Sequence, residues 1–145
     1  MNFRDSSAGF LANHMARLFA SALAEGLRPL GIAPAQFMVL LELWREEGPT
    51  QRNLVERLDV EQATMASTLN SMERDGLIER RAHATDRRAQ LIHATDKARG
   101  LEVDAKAVAR SVNERALARL SPEERLFFTR LMREVIASLG RPSSG

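Results

Sequence analysis

The amino-acid sequence predicts a mainly α-helical fold with one small β-hairpin, and two observations support this. Over most of the chain, apolar residues recur at spacings of three and four, which is the period of an amphipathic helix. Between Leu77 and Ala94 the period changes, and two short strand-like segments enclose a polar, basic tip. The chain has 145 residues, of which 44% are hydrophobic, so its length and composition suit one packed domain.

Four predicted helices precede the hairpin. The first spans about residues 6–30, and the second begins at Pro34, a residue that suits the first turn of a helix. Thr50 is a favourable N-cap for a short third helix. The fourth helix spans about residues 62–75 and ends before Gly76, because glycine commonly terminates helices.

Two further helices are predicted after the hairpin. The helical period returns after Thr95 and predicts one long fifth helix that extends to about Leu117. The segment Ser121-Pro122-Glu123-Glu124 is a strong start for a sixth helix. It combines a serine cap, a proline in the first turn and a glutamate three residues after the cap.

Motifs and composition disfavour catalysis and metal binding. The chain has no cysteine, which excludes disulfides, thiolate metal sites and thiol-based redox sensing. It has no glycine-rich phosphate loop, no HExxH motif and no nucleophile elbow. The three histidines are too scattered for a compact metal site. We therefore expect a protein that is not an enzyme and that uses no metal and no cofactor.

The apolar segments of the chain are short. The longest apolar run, Phe37–Leu41, is far shorter than a membrane span. Residues 1–8 carry both charge signs and lack the apolar core of a signal peptide. We therefore expect a cytoplasmic protein that does not bind membranes.

The fourth helix makes the physical case for DNA binding. Met65, Leu69 and Met72 share one face and are predicted to point inward. The opposite side is small and polar, as a helix that approaches base edges in the major groove requires. An ordinary exposed helix with few charges is the alternative, and this helix alone does not decide between the two. The residues predicted on its outer face and flanks are Ala63, Thr64, Ser67, Thr68, Asn70, Ser71 and Arg74.

A basic hairpin directly after this helix favours the DNA-binding interpretation. Nineteen of the 21 basic residues are arginine, and four of them surround the hairpin tip: Arg80, Arg81, Arg87 and Arg88. An arginine at such a tip can enter a minor groove, whereas a solubilising loop is the alternative. The order of elements over residues 34–95 is that of a winged helix-turn-helix.

Nearly the whole chain resembles the MarR family of transcription factors. The wing motif Asp86-Arg87-Arg88-Ala89, with an Asp two residues before an Arg, is the most specific part of the resemblance. The chain departs from the family pattern at Ala94, where Leu is favoured, and at Ser67 and Ser71, where basic residues are common. The other matching segments are Gly31–Leu41, Thr50–Val60 (TQRNLVERLDV), Thr64–Ile78 and Ala94-Thr95-Asp96-Lys97.

The resemblance implies a sequence-specific regulator, of the repressor type, that binds double-stranded DNA. It implies that Arg88 enters the minor groove while Asp86 holds its guanidinium in place. The starts of the second and third helices are expected to bond phosphates. The predicted DNA-binding residues are Gln36, Thr50, Gln51, Gln62, Thr64, Ser67, Thr68, Asn70, Ser71, Arg74, Arg81, Asp86, Arg87 and Arg88.

A homodimer is expected from the helices outside the DNA-binding lobe. Residues 1–33 and 96–145 are predicted to form dimerisation helices of one intertwined domain, with residues 34–95 as the lobe. The fourth helix is the recognition helix in this interpretation. A second copy would place two such helices in successive major grooves, about 34–36 Å apart on a pseudo-palindromic operator. A monomer is the alternative, but it would expose Phe and Leu side chains of the first and last helices.

The resemblance also implies a small aromatic or lipophilic effector that releases the DNA. The predicted effector-binding residues are His14, Met15, Arg17, Leu18, Phe37, Leu40 and Trp44, although the ordinary role of such residues is in the core. Two other functions stay open. One is a winged-helix module for protein assembly without a DNA target, and the other is a protein that sequesters a lipophilic compound.

Overall fold

The computed structural model describes residues 2–140. Met1 and residues 141–145, which belong to the two predicted dimerisation segments, lie outside the described residues. The described chain forms eight α-helices and one two-stranded antiparallel sheet. In chain order the elements are α1 Phe3–Ser6, α2 Ala8–Leu27, α3 Pro34–Arg45, α4 Gln51–Leu58, α5 Gln62–Arg74, β1 Ile78–Ala82, β2 Gln90–Ala94, α6 Asp96–Gly100, α7 Glu102–Ala116 and α8 Pro122–Leu139. The predicted fold class is confirmed.

The predicted first helix, residues 6–30, corresponds to α2 and the 3-10 turn after it, whereas the short helix α1 was not predicted. Ser7 separates α1 from α2, and its hydroxyl caps α2 by accepting a hydrogen bond from the Phe10 amide at 3.2 Å. A 3-10 turn, Arg28–Leu30, ends the helix, and Gly31 then adopts a φ of 73°. Glycine reaches this left-handed conformation without steric cost, which lets the chain turn sharply into α3.

The helix-turn-helix consists of α4 and α5. The Thr50 hydroxyl accepts a hydrogen bond from the Asn53 amide at 3.1 Å, and the Asn53 side chain accepts one from the Thr50 amide at 3.0 Å. Thr50 is therefore the N-cap that its sequence position predicts. Asp59 takes a left-handed conformation, with a φ of 51°, at the turn between the two helices.

The core of the lobe fixes which side of α5 is exposed. Met65, Leu69 and Met72 are each at most 1% exposed and pack in one cluster with residues of α3, α4 and the sheet. The prediction that these three side chains point inward is confirmed. Ser67 and Asn70, on the other side of the same helix, are exposed.

A third backbone segment supports the hairpin. Strand β1 pairs with β2 from Ile78 opposite Ala94 to Ala82 opposite Gln90. The Ile92 amide donates to the Pro49 carbonyl at 2.8 Å, and the Gly48 amide donates to the Ile92 carbonyl at 3.2 Å. These bonds attach the hairpin to the chain between α3 and α4. The attachment stabilises the hairpin, since a hairpin alone is only marginally stable in water.

The prediction of one long fifth helix was wrong, because the chain turns at Leu101 and forms α6 and α7. The Ala98 carbonyl accepts from the Leu101 amide at 3.1 Å, three residues away, and from the Trp44 indole N–H at 3.2 Å. In a continuous α-helix the Ala98 carbonyl would accept from the Glu102 amide, four residues later. Here the Leu101 amide and the Trp44 indole occupy that carbonyl instead.

The last helix lies largely apart from the lobe core. Ser121 caps α8 and forms the predicted capping box with Glu124. No residue of α8 is buried, although the helix carries large apolar side chains. Among residues 2–140, no helix has the length and apolar character needed to cross a membrane.

Candidate nucleic-acid interface

The outer face of α5 is polar and accessible. Ser67, Asn70 and Arg74 are exposed there, together with Ala63. Each lies opposite the buried methionines and Leu69, as the helical period predicts. Ala63, Ser67 and Asn70 have short side chains that let the helix approach base edges closely. Arg74 is longer, but it lies at the end of the helix. This face can enter a major groove, which is about 12 Å wide.

A groove brings three separate parts of the chain together beside this face. It has a volume of about 470 Å³ and lies between the starts of α4 and α5 and the hairpin. Five predicted DNA-binding residues line it: Thr50, Gln51, Gln62, Asp86 and Arg88. The first amides of a helix have no acceptor within that helix, so the start of α4 presents donors suited to phosphate.

Local hydrogen bonds close the wing tip, and in each of them a backbone amide of the tip is the donor. One Asp86 carboxylate oxygen accepts from the Arg88 amide at 2.9 Å, and the Asp86 carbonyl accepts from the Ala89 amide at 3.2 Å. The His83 Nδ1 atom accepts from the amides of Thr85 and Asp86, at 3.2 and 3.0 Å. Two backbone N–H groups therefore point at the same ring nitrogen and hold the His83 ring against the tip.

The predicted contact between the Asp86 carboxylate and the Arg88 guanidinium is not formed in this structure. The carboxylate holds the backbone amide of Arg88 rather than the guanidinium, because an aspartate readily accepts from the amide two residues later. Within residues 2–140, the Arg87 and Arg88 guanidinium groups have no acidic partner. They are free to meet a nucleic-acid phosphate or groove.

Strand alternation separates the two arginines of β1. Arg80 shares the helix-facing side with Ile78 and lines the groove. Arg81 lies on the other side and pairs with Glu79, with its Nη2 atom at 2.6 Å from the carboxylate. The hydrogen bond and charge of Arg81 lower the pKa of Glu79. Both side chains of this pair are about half exposed, so Arg81 stays a predicted DNA-binding residue; Arg80, which lines the groove, was absent from the predicted set.

Gln36 does not belong to the accessible surface, and its assignment to DNA was wrong. The residue is 5% exposed, and all of its side-chain groups have internal partners. Its oxygen accepts from the Ala33 amide at 3.0 Å, and its amino group donates to the Ser71 hydroxyl at 3.1 Å and to an Asp75 carboxylate oxygen at 3.0 Å. The pKa of Asp75 is lowered, chiefly by this bond from Gln36.

Ser71 is occupied in the same network. Its hydroxyl donates to the Thr68 carbonyl at 2.7 Å while it accepts from Gln36. Ser71 is half-buried between α5 and α3, so its assignment to the major groove was also wrong. The physical reason is its position on the flank of the helix, next to Met72, where α3 packs.

The predicted effector-binding residues lie in separate places rather than around one site. Phe37 and Leu40 are 2% and 0% exposed in the lobe core, so their assignment was wrong. Trp44 packs edge-on against Phe37 and donates its N–H to α6. Met15 and Leu18 line a cavity of about 550 Å³ between α2 and the end of α7. The other residues that line it are Phe19, Ala22, Val112, Arg115, Ala116, Leu117, Arg119, Leu120 and Phe128.

His14 and Arg17 lie exposed on α2 and do not line that cavity. The His14 ring has only an edge contact with the Phe10 ring, at 6.4 Å between centroids. Across residues 2–140, no three His, Cys, Asp or Glu side chains are grouped as a metal site requires.

Comparison with known proteins identifies relatives along almost the whole chain. The MarR family profile matches residues 30–89. The HTH-type transcriptional repressor Rv2887 of Mycobacterium tuberculosis (strain ATCC 25618 / H37Rv) is 26% identical over 131 residues, which cover 90% of this chain and 94% of the repressor.

Solved structures show the same fold. The transcriptional regulator PA3341 is 35% identical, with a TM-score of 0.77 over 92% of this chain and 98% of its own. A mutant MarR from E. coli complexed with operator DNA is 23% identical, with a TM-score of 0.84 over 94% of this chain and 99% of its own. The likeness to this second structure bears on the fold alone.

Proposed function

Because the chain belongs to the MarR family of transcriptional regulators, we propose that it is a sequence-specific repressor that binds double-stranded DNA as a homodimer. The observation that carries this proposal is the groove in which Arg88 of the wing faces the starts of α4 and α5. Gln62, at the start of α5, lines the same groove as Arg88 of the wing. A single duplex can meet both.

In this proposal the two elements have separate tasks. Ser67 and Thr64 of α5 reach base edges in the major groove, where small hydroxyl side chains can donate or accept. Arg88 enters the adjacent minor groove, and Arg87 neutralises phosphate. Gln51 and Gln62 bond the phosphates that flank the recognition helix.

A second copy of the chain is the proposed partner of α2 and α8. Ile136 and Leu139 of α8 are 63% and 83% exposed, and Leu18 of α2 is 60% exposed. Side chains of this size rarely form a continuous exposed stripe in a monomer. Burial against a symmetric copy would gain about 25 cal/mol for each Å² of apolar surface removed from water. The pseudo-palindromic operator follows from the two-fold symmetry.

We propose that an aromatic or lipophilic effector binds in the cavity between α2 and α7. Its walls are mostly apolar. Arg115 and Arg119 also line it, and their guanidinium groups suit a polar or anionic end of the ligand. Such a compound weakens DNA binding only through different affinities for the free and DNA-bound forms. The chain acts in the cytoplasm in this proposal, without a catalytic step, a metal or a cofactor.

Selection of bound duplexes from a random pool tests the proposal. The expected result is an enriched site with two related half-sites and a dissociation constant that rises steeply with salt. Sedimentation of the free protein should give twice the chain mass of 16.2 kDa. If no duplex is retained at low salt, the protein is an assembly module rather than a regulator of this kind. Repeating the selection with aromatic acids tests the effector.

A further inference from the structure

A hydrogen bond joins the wing to the outer face of the recognition helix. The Arg80 Nη2 atom donates to the Asn70 Oδ1 atom at 3.0 Å, and the Arg80 Nε atom lies 3.5 Å from a Glu73 carboxylate oxygen. The Arg80 side chain is 18% exposed, so it is held between β1 and α5. Asn70, in contrast, is exposed beside Ser67 on the proposed reading face.

The chemistry of the two groups fixes which way the Asn70 amide points. A guanidinium can only donate, so the asparagine atom that faces it is the oxygen. The amino group of Asn70, with two N–H donors, is then the end left without a partner within residues 2–140. The side chain that reaches the groove from this position presents donors.

This presentation differs from the usual role of asparagine in DNA recognition. An asparagine ordinarily reads adenine by accepting from its N6 amino group and donating to its N7 atom. That pairing needs the amide oxygen that Arg80 already bonds. The oxygen keeps a second lone pair, but a base amino group that approached it would enter the field of the Arg80 guanidinium. Base acceptors meet no such opposition.

We propose that Arg80 is a specificity-determining positioning residue, which holds Asn70 so that it selects keto bases, guanine or thymine, over amino bases. Guanine O6 and thymine O4 are the major-groove acceptors that adenine and cytosine replace with amino groups. This inference rests on the proposed function, because it concerns one base position within the operator. Arg80 acts through Asn70 and does not itself contact the base.

Selection from a random duplex pool with matched variants tests the inference. For the unmodified protein, one base pair in each half-site should be selected in one orientation, with G or T always on the same strand, and Asn70→Ala should abolish the preference at that position alone. Arg80→Met keeps the length of the side chain and removes its donors. It should weaken the keto preference about tenfold, in keeping with the discrimination of one good base contact. Arg110→Met removes the same charge from α7, outside the lobe, and should leave every preference unchanged.

A second variant does not depend on the packing of Arg80. Asn70→Asp changes an exposed side chain and replaces the donors with acceptors. It should shift the same position toward amino bases, since carboxylates accept from cytosine N4. Equal acceptance of A and G on one strand at the Asn70-dependent position of the unmodified protein would overturn the inference, because the keto oxygen then changes strand. So would an unchanged preference in Arg80→Met with a normal thermal unfolding curve. If no duplex is selected at all, the proposed function fails instead.

Discussion

The Gln36 amino group lies 3.0 Å from the Asp75 carboxylate and joins the start of α3 to the end of the recognition helix. The same side chain accepts from the Ala33 amide, where alanine offers no cap of its own. Gln36, at the start of α3, thus holds the C-terminal end of the recognition helix α5. The orientation of α5 is therefore coupled to that of α3.

Replacement of Gln36 should cost stability rather than DNA contacts. Gln36→Leu leaves the Ala33 amide and the Asp75 carboxylate without this partner, so we expect a loss of about 1–3 kcal/mol in the free energy of unfolding. Urea titration measures the loss. Gln62→Leu, at an exposed position, should change stability by less than about 0.5 kcal/mol. Equal losses in the two variants would contradict the network.

Asp75 should make stability depend on acid pH. Its folded-state pKa lies below the ordinary value of 3.8, chiefly because Gln36 donates to its carboxylate. The unfolded state therefore takes up the proton first as pH falls. The stabilisation is complete above pH 3.8 and disappears as the pH drops through the lower folded value. Unfolding curves between pH 6 and pH 2 should show a shallower decline for Asp75→Asn than for the unmodified protein, and parallel curves would refute this.

Arg88 should carry more of the DNA affinity than an arginine outside the lobe. Arg88→Ala should weaken duplex binding by at least about 1 kcal/mol and reduce its salt dependence. Arg110→Ala removes the same charge from α7 and serves as the control. Fluorescence anisotropy with a selected duplex measures both. The wing has no special role if the two variants lose affinity to the same degree.

The apolar face of α8 should be required for dimerisation. Ile136→Asp places a charge in a surface that is 63% exposed in the single chain, so the fold of the protomer should survive. The charge would have to be desolvated at the subunit interface, and we expect the dimer to dissociate at least tenfold more readily. Ser138→Asp, on the same helix, is the control. Sedimentation velocity would detect a dimer of undiminished strength, which would exclude this face.

Two glycine substitutions should have opposite effects. Gly48 has a φ of 81°, and an added Cβ atom would lie 3.3 Å from the His93 ring, so Gly48→Ala should destabilise the protein by about 1 kcal/mol or more. Gly100 lies in α6 with no atom within 4 Å of such a Cβ. Gly100→Ala should stabilise the protein by about 0.5–1 kcal/mol. Thermal unfolding measures both changes, and the same sign for both would contradict the backbone argument.

The sequence predicts best where one period governs a whole element. The spacing of Met65, Leu69 and Met72 determines the buried side of α5, and burial of large apolar groups is the main favourable term in folding. The caps at Thr50 and Ser121 were predictable for a similar reason, since a capping side chain acts within three residues of its own position.

The errors arose where a distant partner decides the role of a residue. Gln36 and Ser71 are polar and lie at helix positions that favour exposure, yet each bonds the other across 35 positions of the chain. The predicted fifth helix is interrupted at Leu101, next to the bond from Trp44 to the Ala98 carbonyl, 54 positions away. Arg80 was the exception, because alternation from the buried Ile78 places it on the helix-facing side of the hairpin. Applying that period to β1 would have identified it.

No residue from Arg81 to Gln90 is buried, and the tip closes through the local bonds of His83 and Asp86. Its shape therefore owes little to the rest of the molecule. Mutations that lengthen or recharge this loop would be nearly neutral for folding while they alter which duplexes are held. Descendants of this chain could in that way acquire new target genes through the loop while the helical scaffold stays the same.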